Sequence, residues 1–465
     1  MNVPETPMGA LVVDMREILE QSVDELDASV SLETDGVNDT VAANRFGVRD
    51  VADLAEQLTM LVPARVPVET PDELDRQIPF FRLACRGLLF AVPGLFYLVV
   101  AWAHPSTTGS YIMVIAILTG WGLSQAVALV AYRVLGRAGE PSAALALRRI
   151  LTGAVVVAGL TLVPLAAVLQ DWWLAGLAIG QILYVVAASV LLFYNADRLL
   201  ALALVPGALV STAYLTNLPA PDAVTVAAVA AVATTVAAVC AAAWYRAHRS
   251  VAGLSPAGRP RLSDVWACGP FVLQGVLSGI AVAYIPIQML DGNVSPDVHA
   301  LDLSIVPLVL SMGFAEIELL RLRAAGGLLM HRTVHLADYQ RGASRQVVLS
   351  QFRFMLVLVV VSTLVTVVIR MTSGFNTRDF VLLCAYSILG TALLAALVLV
   401  AVDRVLVALL GFLLTGCAIA VGVGVSRLSG FTMSVEGGYL ASCLILLSAL
   451  TALAIRTLRD PRALA

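Results

Sequence analysis

The sequence predicts an all-α polytopic membrane protein of about twelve transmembrane helices, arranged as two six-helix lobes behind a small acidic cytoplasmic N-terminal extension. Composition is the first reason: 59% hydrophobic and 13% charged residues, with a mean hydropathy of +0.89, cannot be folded as a water-soluble sphere. The second is the regular recurrence of apolar runs about as long as the bilayer core is thick. The third is charge asymmetry, because residues 1 to 80 hold seventeen Asp or Glu against five Arg and the remainder is net basic.

The extension, residues 1 to 80, carries helical periodicity over Leu11 to Leu26 and Val48 to Leu61, separated by the polar, turn-prone run Ser31 to Asn44. Val51, Leu54, Leu58 and Leu61 form an apolar stripe that needs a partner surface, and Asp50 stands at the positive end of that helix. Pro63, Pro67 and Pro71 then make a stiff connection to the membrane part. Met1 opens an acidic, polar stretch without a basic n-region, so the first span is expected to direct insertion.

The N-lobe, residues 81 to 245, reads as six spans: Phe81 to Ala103, Tyr111 to Leu135, Ile150 to Leu169, Trp173 to Tyr194, Leu199 to Leu215 and Val224 to Tyr245. A basic cytoplasmic linker, 246 to 264, contains Arg246, Arg249, Arg259 and Arg261. The C-lobe, 265 to 456, reads as Val265 to Leu290, Leu303 to Leu322, Phe354 to Met371, Phe380 to Val402, Val405 to Ser426 and Tyr439 to Ile455, followed by a tail, 457 to 465. Prolines 93, 164, 206, 270, 286 and 307 fall within spans, where they bend helices of moving and static bundles alike. Six cysteines, Cys85, Cys240, Cys268, Cys384, Cys417 and Cys443, show neither paired nor metal-ligand spacing.

Arginine placement sets the orientation, since basic loops stay cytoplasmic. Arg133, Arg137, Arg148, Arg149, Arg198, Arg323, Arg332, Arg341 and Arg345 lie on the N-terminal side, whereas the alternate loops such as His104 to Ser110 and Asp291 to Asp302 hold no basic residue. Arg370, Arg378 and Arg427 break the pattern. The expectation is a multi-pass protein of the inner (cytoplasmic) membrane with both termini in the cytoplasm.

Ionisable side chains inside the hydrocarbon cost several kcal/mol unless paired or wet, so they are the first functional candidates. Glu316 and Glu318 lie in the eighth span, where Glu318 precedes Arg321 by three residues and can pair with it; both acids suit either a lumen site or the cytoplasmic interface. Arg82 and Arg86 share one face of the first span and either snorkel to the interface or place positive charge in a cavity. Gln125, Gln181, Gln274 and Gln288 can hydrogen-bond a sugar or bridge neighbouring helices. His331, His335 and Asp338 have the i, i+4, i+7 spacing of three metal ligands, but Arg332 and Arg341 crowd the same amphipathic segment, which reads as a helix lying on the membrane surface.

No Walker A run, GxGxxG, HExxH, GxSxG or CxxC pair occurs, and the external loops are short. Transport is therefore favoured over catalysis by elimination, with no cofactor, no metal and no nucleic acid implied.

Six plus six spans, a basic middle linker and an amphipathic stretch after the eighth span resemble the multidrug/oligosaccharidyl-lipid/polysaccharide flippase superfamily, in its polysaccharide-exporting branch. Locally, PSTTGSYIMVIAILTGWGLSQAVALVAYRVLGRAGEPSAALALRRIL resembles that branch's second span, and Arg321 to Arg353 its long connection between the eighth and ninth spans. The resemblance implies two lobes around a cavity that opens alternately to either side, a lipid-linked oligosaccharide or polysaccharide as cargo within membrane lipid, and Arg86 as a cationic cavity residue. Glu316, Glu318, Arg321, Gln125 and Gln274, ionisable or polar residues inside spans, are the companion substrate-binding candidates. The acidic extension departs from the family pattern and suits docking of a glycosyltransferase or another envelope-assembly protein. A cation-coupled drug antiporter using Glu316 or Glu318, and a non-transporting scaffold of a surface-polymer machine, are the alternatives.

Overall fold

The computed structural model describes Met8, Leu11, Val12, Met15, Leu19 and residues 25–34, 37, 39–62, 80–103, 107–169, 172–217, 221–249, 262–294, 300–332, 335–372, 376–429 and 434–460. The chain divides into two compact units, Met1–Gln77 with Met330–Arg332, and Ile78–Leu329 with Thr333–Ala465. Pro63, Pro67 and Pro71, and most of the short loops between spans, lie outside the described residues.

The first unit has its own apolar core, built from Met15, Leu19, Ala28, Leu32, Ala42, Val51, Leu54, Ala55 and Leu58. Helix α1 (Glu25–Thr34) leads through a helical turn, Asp39–Val41, and a π-helical turn, Ala42–Phe46, to helix α2 (Val51–Leu61). The polar run Ser31 to Asn44, expected as a loop, is thus partly helical. The run's average polarity hides that Leu32 forms an i, i+4 pair with Ala28 just before it, both fully buried, and that pair is enough to hold one face of a helix on a core. Gly47, with φ of 72°, ends the π turn in the left-handed region that favours glycine.

Asp50 is the N-cap of α2 and accepts the Asp53 backbone N–H at 2.8 Å. That bond, with the Arg49 guanidinium at 2.9 Å, holds the Asp50 carboxyl below the usual carboxylate range. A depressed folded pKa contributes stability that is present above the ordinary carboxylate value of about 3.9 and is lost as pH falls through the lower folded value. Amide exchange of residues 52–58 in the whole protein is therefore expected to be flat from neutral pH to about 5 once intrinsic rates are removed, and to rise in stronger acid. Asp50→Ala should show the acid behaviour at neutral pH.

The second unit is a bundle of long helices: α3 (Phe80–Ala103), α4 and α5 (107–138 and 140–169), α6 (Trp172–Phe193), α7 (Asp197–Thr216), α8 (Asp222–Arg249), α9 (Leu262–Leu290), α10 (Ala300–Arg332), α11 (Leu336–Thr372), α12 (Thr377–Ala401), α13 (Val405–Ser429) and α14 (Val435–Leu458). Among the described residues, eight helical stretches are by themselves long and apolar enough to cross a membrane. α4 runs into α5 at Gly139, whose φ of 76° and ψ of 177° only glycine adopts readily, and Pro141 follows in the first turn of α5. The predicted loop after the second span is therefore helical on both sides of one kink. Its Ala143, Ala146 and Leu147 are buried and favour helix.

The connection after the eighth span departs more from expectation. Instead of a separate helix on the membrane surface, α10 extends to Arg332 and α11 starts at Leu336 and continues without a break through the ninth span. Tyr339, Ala343, Val347, Ser350, Phe354 and Leu358 make one buried stripe along it. An amphipathic sequence looks the same whether its apolar face meets lipid or protein, and here it meets protein.

The spans fall into two lobes with separate cores. Phe96, Val127, Leu147, Val186, Leu191, Leu204 and Val239 belong to the N-lobe core, and Ile285, Leu322, Tyr386, Leu399, Tyr439 and Leu450 to the C-lobe core. α12 is the axis of the C-lobe: 67% of its apolar window is buried, against 22 to 39% for the other candidate spans. The lobes repeat a local device. After the fourth span of each, Asn195 (φ 52°) and Asp403 (φ 56°) take the left-handed conformation. The next amide, of Ala196 or Arg404, bonds back to the carbonyl of Leu191 or Leu399, closing a Schellman cap.

Candidate functional site

Among the described residues, two seams join the lobes. In the first, α3 of the N-lobe runs antiparallel to α10 of the C-lobe with almost no side chain between them. A Cβ on Gly87 would collide with the Leu310 carbonyl oxygen, and one on Gly313 with that of Leu83. Phe80 and Phe314 meet edge to face at 5.8 Å beside this contact. In the second seam, α4 meets α9: a Cβ on Gly275 would come within 2.9 Å of the Gly122 Cα, Gly279 faces Leu118, and Cys268 lies 3.8 Å from the Ala126 carbonyl. The first span of each lobe packs on the second span of the other, so the two seams are one contact repeated.

The first seam carries the ion-pair network that makes it a candidate site. Arg86 donates from Nε to Asp197 Oδ1 at 2.9 Å and from Nη2 to Asp197 Oδ2 at 3.3 Å, a bidentate grip within the N-lobe. Its Nη1 donates to Glu316 Oε2 of the C-lobe at 2.9 Å. Arg82 pairs with Asp197 and donates to both the backbone and side-chain oxygens of Asn195, which also accepts from Arg86 at 3.0 Å. Two guanidinium groups face two carboxylates, so the cluster is formally neutral. Arg86 and Asp197 keep 11% and 14% of their side chains exposed and Glu316 34%, so the inter-lobe bond is the wetter one. It is also the bond that can be exchanged while Arg86 stays held by its own lobe.

The left-handed turn explains why Asn195 reaches this site. The Schellman cap ends α6, reverses the chain and sets Asn195 and Asp197 at the start of α7, beside the first turns of α3. Neither residue was among the sequence candidates. The available signal was an acid, Asp197, next to Arg198 on the face where arginines otherwise predominate.

Glu318, two residues from Glu316, belongs to a different arrangement. It is 4% exposed and pairs with Arg321 at 2.9 Å, as the i, i+3 spacing indicates. Arg353 of α11 also grips it, its Nε within 3.1 and 3.0 Å of the two oxygens and Nη2 at 2.8 Å. This cluster ties α10 to α11 inside the C-lobe. Glu318→Gln weakens four charge-assisted bonds and is expected to cost about 1–3 kcal/mol, seen as a lower unfolding temperature in detergent, with the distance between lobes unchanged.

The remaining candidates are scattered. Gln274 is buried next to the second seam and donates to Ser278 Oγ at 3.0 Å, and Gln125 is half-buried on α4. Gln288 accepts from Asn293 at 2.8 Å at the far end of α9, and Gln181 lies beside Gly120. His335 and Asp338 are exposed, the His331 side chain lies outside the described residues, and among the described residues no group of three or more His, Cys, Asp or Glu is placed to hold a metal ion. The six cysteines are free thiols, Cys268 and Cys443 buried and Cys417 exposed.

No family model matches the chain, and no curated protein matches it by sequence. Solved structures do. The chain is similar to a MATE in the bent conformation, with a TM-score of 0.54 at 12% identity over 84% of this chain and 97% of that one. It is similar to a MATE in complex with Br-NRF, TM-score 0.52 at 11% identity over 83% and 99%. It is also similar to the Vibrio cholerae MATE transporter VcmN in the bent form, TM-score 0.52 at 18% identity over 84% and 98%. The chain has the fold of these twelve-helix transporters.

Proposed function

We propose that this protein moves a lipid-linked oligosaccharide or polysaccharide across the cytoplasmic membrane by alternating access of its two lobes, without catalysing a chemical step. The observation that carries the reading is the divided allegiance of Arg86: bidentate to Asp197 in its own lobe, single to Glu316 in the other. When the lobes part on this face, Arg86 keeps Asp197 and offers Nη1 to an anionic group such as the phosphate of a lipid-linked sugar. The arginine distribution makes this face cytoplasmic, with both termini on the same side. The acidic first unit then lies in the cytoplasm, where it suits docking of a glycosyltransferase or another envelope-assembly protein.

The likeness to MATE structures favours a second reading, cation-coupled efflux of a small drug with Glu316 as the exchanging acid. Depleting the protein in its own host separates the two. Accumulation of lipid-linked sugar intermediates in the cytoplasmic leaflet is expected under the first reading. Retention of a cationic dye without such accumulation supports the second, and neither effect leaves the scaffold role.

A further inference from the structure

On the N-lobe, away from the seams, stands an arginine that no carboxylate pairs with among the described residues. Arg148 stands in the first turns of α5 with its guanidinium carbon 4.8 Å from the centre of the Trp244 ring on α8, a cation–π stack that fixes the plane of the group. Its Nε is buried and has no hydrogen-bond partner, and no carboxylate pairs with it among the described residues. Nε itself is closed to a ligand, but the group is half-buried, its plane is fixed by the ring and no carboxylate among the described residues neutralises it, so its charge and Nη donors are left for an anion at the surface. On the same turn of α8, Arg246 stacks over Tyr194 at 4.6 Å, and Arg149 is exposed next to Arg148.

The surroundings identify the acceptor. Along α5, Val155, Val156, Val157 and Leu160 are 47 to 72% exposed, an apolar surface that begins about 10 Å beyond Arg148 at 1.5 Å per residue and belongs in acyl chains. Trp244 and Tyr245 are 40% and 52% exposed at the same level, as aromatic residues are where the bilayer meets water. A ligand here has an anionic oxygen-rich head on the arginines and a tail along the valines. We infer that Arg148, stacked on Trp244 and assisted by Arg149, binds the headgroup phosphate of an anionic phospholipid on the face where the first span begins. The site is independent of the inter-lobe network and of the cargo.

Trp244 is also the reporter. In a variant whose other five tryptophans are phenylalanine, reconstituted in nanodiscs, brominated phosphatidylglycerol is expected to quench Trp244 about fivefold more effectively than brominated phosphatidylcholine at equal mole fraction. Arg148→Gln should make the two lipids equal while leaving quenching by phosphatidylcholine unchanged, which shows that the protein is still folded in lipid. Millimolar inorganic phosphate should leave the preference intact. Equal quenching before the substitution, a preference that survives Arg148→Gln, or one abolished by free phosphate overturns the assignment. If the single-tryptophan protein does not fold, the same ratio is read from co-purified phosphatidylglycerol and phosphatidylcholine on wild type and Arg148→Gln by native mass spectrometry, with the same outcomes.

Discussion

Arg86→Gln is expected to part the lobes on the face where the first span begins. The substitution removes the inter-lobe bond to Glu316 and the bidentate grip on Asp197 together, and leaves Arg82 as the only guanidinium of the cluster. Breaking a fully buried ion pair costs about 3–5 kcal/mol. Glu316 is 34% exposed, so solvent screens part of this, and about 2 kcal/mol is the appropriate size for the closed state. That is about a 30-fold shift in the ratio of closed to open protein. Glu316→Gln is the informative comparison: it keeps Arg86 on Asp197 and a neutral acceptor on the other lobe, so its shift should be several-fold smaller. The distance between spin labels at the exposed positions 133 and 404, in opposite lobes, reads both; a distance distribution identical in wild type and Arg86→Gln would contradict the assignment.

The second large effect has a different cause, with charge playing no part. A methyl group on Gly313 lands on the Leu83 carbonyl oxygen, and one on Gly87 on that of Leu310; both targets are helix backbone and cannot swing aside. Overpacking of this kind costs about 1–3 kcal/mol, and the immobility of the neighbour puts Gly313→Ala near the top of the range. The sign makes the prediction sharp. Glycine to alanine inside a helix is ordinarily favourable by up to about 1 kcal/mol, so Gly94→Ala on α3 and Gly153→Ala on α5, where a Cβ meets nothing within 4 Å, should leave the protein equally or more stable. Gly313→Ala and Gly87→Ala should instead open the seam, and their effects should not add, since either alone separates the same two helices. Thermal unfolding of the four variants, with the distance between labels at positions 133 and 404 as the opening readout, checks this.

The sequence made the fold legible where the information was local. Spans such as Thr377–Ala401 and Val435–Leu458 announce themselves as uninterrupted apolar runs, and the Glu318–Arg321 pair follows from three residues of spacing. What was not legible depended on tertiary partners. Arg86 and Glu316 are 230 residues apart, and nothing in either helix says that they meet. Asn195 enters through a backbone conformation, a left-handed cap that its sequence permits without requiring. Arg353 was hidden at the end of the stretch read as the connection between the eighth and ninth spans, because Tyr339, Ala343 and Val347 would be spaced alike against lipid or protein. Gly87 and Gly313 lay among many span glycines with no sign that these two touch backbone.

Alternating access requires the lobes to move as two bodies about these seams. The direct measurement is the distance between spin labels at positions 133 and 404, exposed positions at the corresponding ends of α4 and α12 in opposite lobes, by pulsed electron resonance in lipid bilayers. Two populations are predicted, the shorter dominant in wild type and the longer dominant in Arg86→Gln and Gly313→Ala. A single distance unchanged by either substitution would contradict alternating access and leave a static bundle.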